Sequence, residues 1–411
     1  MKVLQLCKKF PFPLKDGESI AINYLTKAMY ELGAEITLLS MNTTKHYVDI
    51  KTIPATFDHY KAIYTTDLDN YLKPVDAFIN LFSSQSYHIS RYVDTSFTAQ
   101  LIELLQQNEY DIVQLETLYL ASYTDIIRTY SKAKIVMRSH NVEHEIWDRV
   151  AENTSNIVKK SYLKILTKRL KTFEIDKLNS YDALLAITNR DMILHQQMGF
   201  KKQSIAVPIG IDTAMYAQKS KPFQSKITMG FIGSLDWQPN IEGLQWFLKA
   251  VWPTILEQFQ HIELHIAGRN TPDWIAALSM ERIVIHGDVP NAQDFINAHN
   301  IMIVPLLSGG GMRVKIIEGM ALGRVIITTS IGIEGIDAIH KNQVLIANET
   351  QDFVDAISYC YAQNENLNIM GQKAQQYVQE NYDSSGIGKK VMNFYDELCE
   401  KYPNQSRTFA E

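Results

Sequence analysis

Two α/β domains, each built on a doubly wound parallel sheet, are what this sequence predicts. Three observations carry that expectation. Short apolar strand patterns alternate with helical patterns through both halves of the chain. The 411 residues exceed one ordinary core. A glycine-rich turn joins an apolar strand to a helix late in the chain, and ligands of such sheets bind beyond strand ends of this kind.

The first half opens with a strand over Lys2 to Cys7 and a loop to Glu18. A helix follows, with Ser19 as its N-cap and Gly33 as its C-cap. Ala21, Leu25, Ala28, Met29 and Leu32 form its apolar stripe. Strands are then expected at Glu35 to Leu39, Asp111 to Leu115, Lys134 to Met137 and Ala183 to Ile187. The second half repeats the alternation at Thr228 to Ile232, Glu263 to Ala267, Arg282 to His286, Ile301 to Val304 and Val325 to Thr328. These patterns predict a first domain over 1–208, a linker over 209–226 rich in Pro, Gly, Ser and Lys, and a second domain over 227–385. A last helix occupies 386–411, and pattern alone does not say which domain it joins.

Composition narrows the class. A net charge of -5 gives no support to nucleic-acid binding. Cys7, Cys360 and Cys399 are odd in number and far apart, which fits a reducing compartment rather than a disulfide framework. No signal peptide or membrane-spanning segment is expected, so the expected location is cytoplasmic, with any membrane contact peripheral at the inner face.

The chemistry concentrates at Ser308-Gly309-Gly310-Gly311-Met-Arg313-Val-Lys315-Ile-Ile-Glu318. Ile301 to Val304 supplies the strand before it. Arg313 to Leu322 supplies the helix after it, with Val314, Ile317 and Ala321 on one stripe and Gly323 closing the end. A helix N-terminus favours anions, and glycines let a phosphate approach the backbone. Arg313 and Lys315 add full charges, and Glu318 has the chemistry to accept from a ribose diol. A nucleoside-diphosphate site and a turn that is glycine-rich for packing alone both remain open, the latter with Lys315 and Glu318 as a surface ion pair. No P-loop is present, since no Gly-Lys-Ser/Thr follows the glycines.

Several further segments share one resemblance. They are Asp16-Gly17 before the first helix, Ser139-His140-Asn141, Phe231-Ile-Gly233-Ser234-Leu235, His286-Gly-Asp-Val289 and Ile331-Gly-Ile-Glu-Gly335. With the glycine-rich turn they resemble the retaining family-4 (group 1) glycosyltransferases of GT-B fold, over nearly the whole chain. The resemblance implies two Rossmann-like domains facing across a cleft, with the acceptor on the first and a nucleotide sugar on the second. It implies metal-independent transfer with retention, and no cofactor beyond the nucleotide-sugar co-substrate. It gives Gly17, Gly233, Ser234, Val289 and Gly309 to Gly311 to the donor, and His140 to the reacting region. Cell-surface polysaccharide or glycoconjugate synthesis, with a glycan or lipid-linked acceptor, is the expected setting. The family's usual Glu eight positions before Glu318 is Gly310 here. Its usual Arg and Lys after the Gly233 turn are replaced by Asp236, Trp237 and Gln238, so Arg313 or Lys315 is expected to neutralise the diphosphate.

Competing readings are specific. A GT-B nucleotide-sugar binder or epimerase without transfer is one. His140-Asn-Val-Glu143-His144 spells a zinc-hydrolase signature, provided the whole motif lies in a helix. Asp67-Leu-Asp69 reads as an exposed turn before it reads as a metal motif. His261, Glu263 and His265 read as one exposed strand face. Lys159 to Lys177 holds seven basic residues among apolar ones, a pattern shared by solvated helices and by helices that lie on anionic membranes.

Overall fold

The computed structural model describes residues 1–14, 16–71, 80, 86–154, 156–223, 226–309, 311–362 and 364–400. Gly310, one of the donor-site candidates, lies outside these residues, as does the end of the expected last helix. The chain divides into two compact units, one of Met1–Gly210 with the segment from Ser384 onward, the other Ile211–Asp383.

In the first unit seven parallel strands run in the order β3-β2-β1-β4-β5-β6-β7. They are β1 (Lys2–Cys7), β2 (Glu35–Thr43), β3 (Ala62–Leu68), β4 (Ile112–Glu116), β5 (Lys134–Ser139), β6 (Ala183–Ala186) and β7 (Gln203–Ala206). Strand alternation splits the core into two layers. Leu4 and Leu6 join Phe97, Leu101 and Leu170 on one side. Val3 and Cys7 join Ile22, Leu25 and Met29 of α1 (Gly17–Glu31) on the other. The α1 helix starts earlier than its sequence suggests. Its N-cap is Asp16, whose carboxylate accepts from the Ser19 N–H at 3.0 Å, and Ser19 itself is buried. Leu32, expected on the buried stripe, is exposed, because the helix ends there and Gly33 turns the chain at φ 89°.

Helix Ser384–Glu400 lies in this unit and buries Ile387, Val391, Tyr395 and Leu398 beside α1. Each such side chain contributes on the order of 2 kcal/mol through burial. Two helices after β5, α2 (Glu143–Glu152) and α3 (Ile157–Lys177), pack as a hairpin, with the Glu143 and His144 N–H groups donating to Glu174 near the far end of α3.

The second unit has six parallel strands in the order β10-β9-β8-β11-β12-β13. They are β8 (Thr228–Ile232), β9 (Glu263–Ala267), β10 (Ile283–Gly287), β11 (Ile301–Val304), β12 (Val325–Thr328) and β13 (Leu345–Ile346). Segment 209–226, expected as a linker, carries the helix Thr213–Lys219 and belongs mostly to this unit. In each sheet the order of strand addition reverses at one place, between β1 and β4 and between β8 and β11. Those switch points open gaps beyond the strand ends where a ligand can enter.

Candidate functional site

In the second unit the glycine-rich turn stands at that switch point. It leaves β11 and leads into α6 (Val314–Ala321), reached after α4 (Gln238–Trp246) and α5 (Ala292–Asn297). Gly309 and Gly311 adopt φ of 113° and 76°, backbone that a side chain would strain. Arg313 is the N-cap rather than the first helical residue. Its guanidinium donates to Gly311 O and lies 5.8 Å from the Trp237 ring centre. Ile316, Ile317, Met320 and Ala321 form the buried stripe, whereas Val314 is only half-buried. Gly323 ends the helix region at φ 69°.

Lys315 and Glu318 do not form the surface ion pair that their spacing allows. Lys315 Nζ turns inward and donates to Ile232 O at 3.1 Å and Asn240 Oδ1 at 2.9 Å. It therefore sits beneath the Gly233 turn, where a Cβ on Gly233 would come within 3.1 Å of it. Burial, with repulsion from Arg313, brings its pKa down to about 7. Glu318 accepts from Tyr216 OH at 2.6 Å, and burial raises its pKa despite that bond. Ser234, in the same turn, donates to Asp236 Oδ1 at 2.6 Å. So Gly233, Ser234, Gly309, Gly311, Arg313, Lys315 and Glu318 come together around the β8 and β11 ends. Tyr216 and Asn240 complete the arrangement, and neither stood out in the sequence.

The first unit has its own constellation beyond β4 and β5. Glu116, at the end of β4, has no exposed surface. Its carboxylate accepts from Gln5 Nε2 at 2.7 Å and from Gln114 Nε2, and Arg138 Nη1 lies 3.6 Å away. His140 Nε2 is 2.7 Å from the same carboxylate. An ionised carboxylate only accepts, so Nε2 carries a proton in this contact. Arg138, foremost among the neighbours, holds the Glu116 pKa down to about 2 against desolvation. Glu116 was not apparent as a site residue from the sequence. The signal was available, since Gln114, Glu116 and Arg138 interrupt otherwise apolar strands. Gly17 is the first residue of α1, beside the Asp16 cap that also pairs with Lys9 at 2.7 Å.

The other motifs resolve in place. His140 precedes α2, so the zinc signature does not lie within one helix. His140 bonds Glu116, whereas His144 Nδ1 bonds Glu174 at 2.7 Å. Among the described residues no group of three or more His, Cys, Asp or Glu is placed to hold a metal ion. Asp67 and Leu68 end β3 instead of forming a turn, and Asp69 follows the strand. The shared exposed face is corrected: His261 is exposed but precedes β9, and Glu263 and His265 are half-buried. His265 has Nδ1 2.9 Å from His286 Nε2 and its ring 4.6 Å from that of His299. A groove of about 530 Å³ opens beside these rings, lined also by Phe295, Lys226 and Val289.

Residues 226–363 match the family model described as Glycosyl transferases group 1. A Klebsiella pneumoniae protein, described as an uncharacterized 44.6 kDa protein in the cps region, is 28% identical over 308 residues, covering 71% of this chain and 76% of its own. Sucrose-phosphate synthase from Thermosynechococcus elongatus superposes with a TM-score of 0.70 at 14% identity, over 98% of this chain and 100% of its own. Anabaena HepE in complex with UDP-glucose gives 0.61 at 13% identity, over 97% and 100%. With its two parallel sheets the chain has the GT-B fold, two Rossmann-like domains, and the segment that matches the glycosyltransferase model lies in its second unit.

Proposed function

We propose that the protein moves a sugar from a nucleotide-sugar donor to a glycan or lipid-linked acceptor, with retention of configuration and without a metal. The second unit binds the donor and the first binds the acceptor. The observation that carries this reading is the cluster of Arg313, Lys315 and Glu318 at the β8–β11 switch point, inside the segment that matches the glycosyltransferase family. Glu318 takes the ribose hydroxyls, with Tyr216 fixing its orientation. Arg313, Lys315 and the free N–H groups of α6 face the diphosphate, on which charge grows as the sugar leaves. Val289 borders the base, and His140 serves the reacting region. The Klebsiella relative's cps region supports polysaccharide or glycoconjugate synthesis as the setting, at the cytoplasmic side.

Thermal unfolding with UDP, GDP, ADP and CMP compounds tests the donor site. A nucleotide at about 100 times its dissociation constant adds roughly 2.7 kcal/mol to the folded state. The shift is expected with one base and is expected to vanish in Glu318→Ala, which loses a buried acceptor. A shift of equal size in the variant would remove Glu318 from the ribose. Activity in EDTA tests the metal-free reading, and product anomer analysis tests retention.

Lys315 gives a pH signature. Free, it titrates near 7 and is largely neutral above that. A bound diphosphate restores the charge, so binding takes up a proton. Affinity for the nucleoside diphosphate therefore falls above pH 7, by up to about tenfold per pH unit. Lys315→Met is expected to bind more weakly with no such slope. Calorimetry in buffers of different ionisation enthalpy reads the proton directly, and zero uptake would contradict the assignment.

A further inference from the structure

We propose that the α2–α3 hairpin is a docking surface for an anionic phospholipid bilayer. The hairpin tip carries three exposed aliphatic side chains, Val150 at 44%, Ile157 at 80% and Val158 at 81%. Lys159 and Lys160 follow at once. Along α3, Ile157, Ser161, Lys164, Lys168, Lys171 and Ile175 recur at three- and four-residue spacing, and all are exposed. That spacing places them on one stripe. The opposite stripe, with Leu163, Leu166 and Leu170, is buried in the unit.

Charge decides the occupant. The whole chain carries -5, yet α3 holds seven Lys and Arg against two acids, Glu174 and Asp176. Glu174 is buried and bound to His144, so it does not offset the exposed stripe. Among the described residues Lys159, Lys164, Lys168 and Lys171 have no carboxylate within ion-pair distance, whereas Lys177 at the helix end pairs with Asp125 at 3.0 Å. A solvated helix needs no exposed aliphatics at its tip, and protein–protein interfaces are depleted in Lys. Unpaired lysines of one sign beside exposed aliphatics match an anionic headgroup layer over an acyl boundary. Three aliphatic side chains alone do not hold a protein on a bilayer, so binding is electrostatic first and salt-sensitive.

Co-sedimentation of the full chain with vesicles tests this. Vesicles of phosphatidylglycerol and phosphatidylcholine in equal parts are compared with phosphatidylcholine alone. Binding is expected only to the anionic vesicles, and it weakens as salt rises. Lys164→Glu/Lys168→Glu/Lys171→Glu is expected to lower the partition coefficient by about 100-fold or more. Ile157→Ser/Val158→Ser, which touches no charge, is expected to lower it about tenfold through lost aliphatic burial. These positions are exposed, and circular dichroism confirms that each variant is folded. No binding to anionic vesicles, or equal binding of wild type and the triple variant, overturns the proposal. The outcome is independent of the nucleotide-induced melting shift, so this proposal and the transferase reading stand or fall separately.

Discussion

Glu116→Ala is expected to destabilise the first unit by about 3–5 kcal/mol, a fall in its melting temperature on the order of 10 °C. The cause is what the substitution leaves behind. Arg138 has no exposed surface; Glu116 is its ion-pair partner at 3.6 Å, and its Nη1 donates a hydrogen bond to Ala21 O at 3.1 Å. Without Glu116 that charge is buried and uncompensated, and the donors of Gln5, Gln114 and His140 lose their acceptor. Removing both charges is a milder change, so Glu116→Leu with Arg138→Met should recover much of the loss. Acid acts in the same direction. The folded carboxyl titrates at about 2, below its ordinary value of 4.5. Its contribution is therefore present at neutral pH and is lost as pH falls from 4.5 through about 2. Calorimetric melting of wild type and both variants across that range is the measurement. A single variant that melts like wild type would mean the network is not coupled to folding.

That network also marks where sequence reading ends. Apolar runs made β1, β8 and β11 legible to the residue, because strands of a parallel sheet are covered on both faces, and alternation did the same for β9. The same logic stops two strands early, at Leu115 and Met137, because the polar Glu116 and Arg138 interrupt the apolar pattern, although these groups satisfy one another inside the core. Edge strands fail for a different reason. β3 reads Ala-Ile-Tyr-Thr-Thr-Asp-Leu and is only half-buried, so its pattern is diluted, and β13 has two residues. In the site, helical spacing gave Lys315 and Glu318. Their partners Asn240 and Tyr216 lie 75 and 102 residues away, and no local pattern encodes such contacts. Helix ends were legible to within a few residues, with Asp16 taking the cap expected of Ser19 because its carboxylate reaches the Ser19 N–H.

Gly268→Ala is expected to destabilise the second unit by about 3 kcal/mol or more and to abolish the nucleotide-induced melting shift. A Cβ there would stand 2.0 Å from Gly233 O and 2.8 Å from Leu235 Cγ. The obstacle is backbone, so no rotamer change relieves it. The turn is also fixed from both sides, with Gly233 N–H donating to Ala267 O at 3.2 Å and Gly268 N–H to Gly287 O at 2.8 Å. Relief requires the Gly233 carbonyl to move by an ångström or more. That turn lies over Lys315 and Asn240, so the displacement carries into the donor site. Gly287→Ala supplies the contrast. Its Cβ would meet nothing within 4 Å, but its φ is 66°. It is expected to cost only about 1–2 kcal/mol, the left-handed penalty alone, and to keep the melting shift. Denaturant unfolding of the two variants, each with and without nucleotide, separates collision from conformational strain. Equal losses in both would show that the Gly233–Gly268 backbone contact does not govern the site.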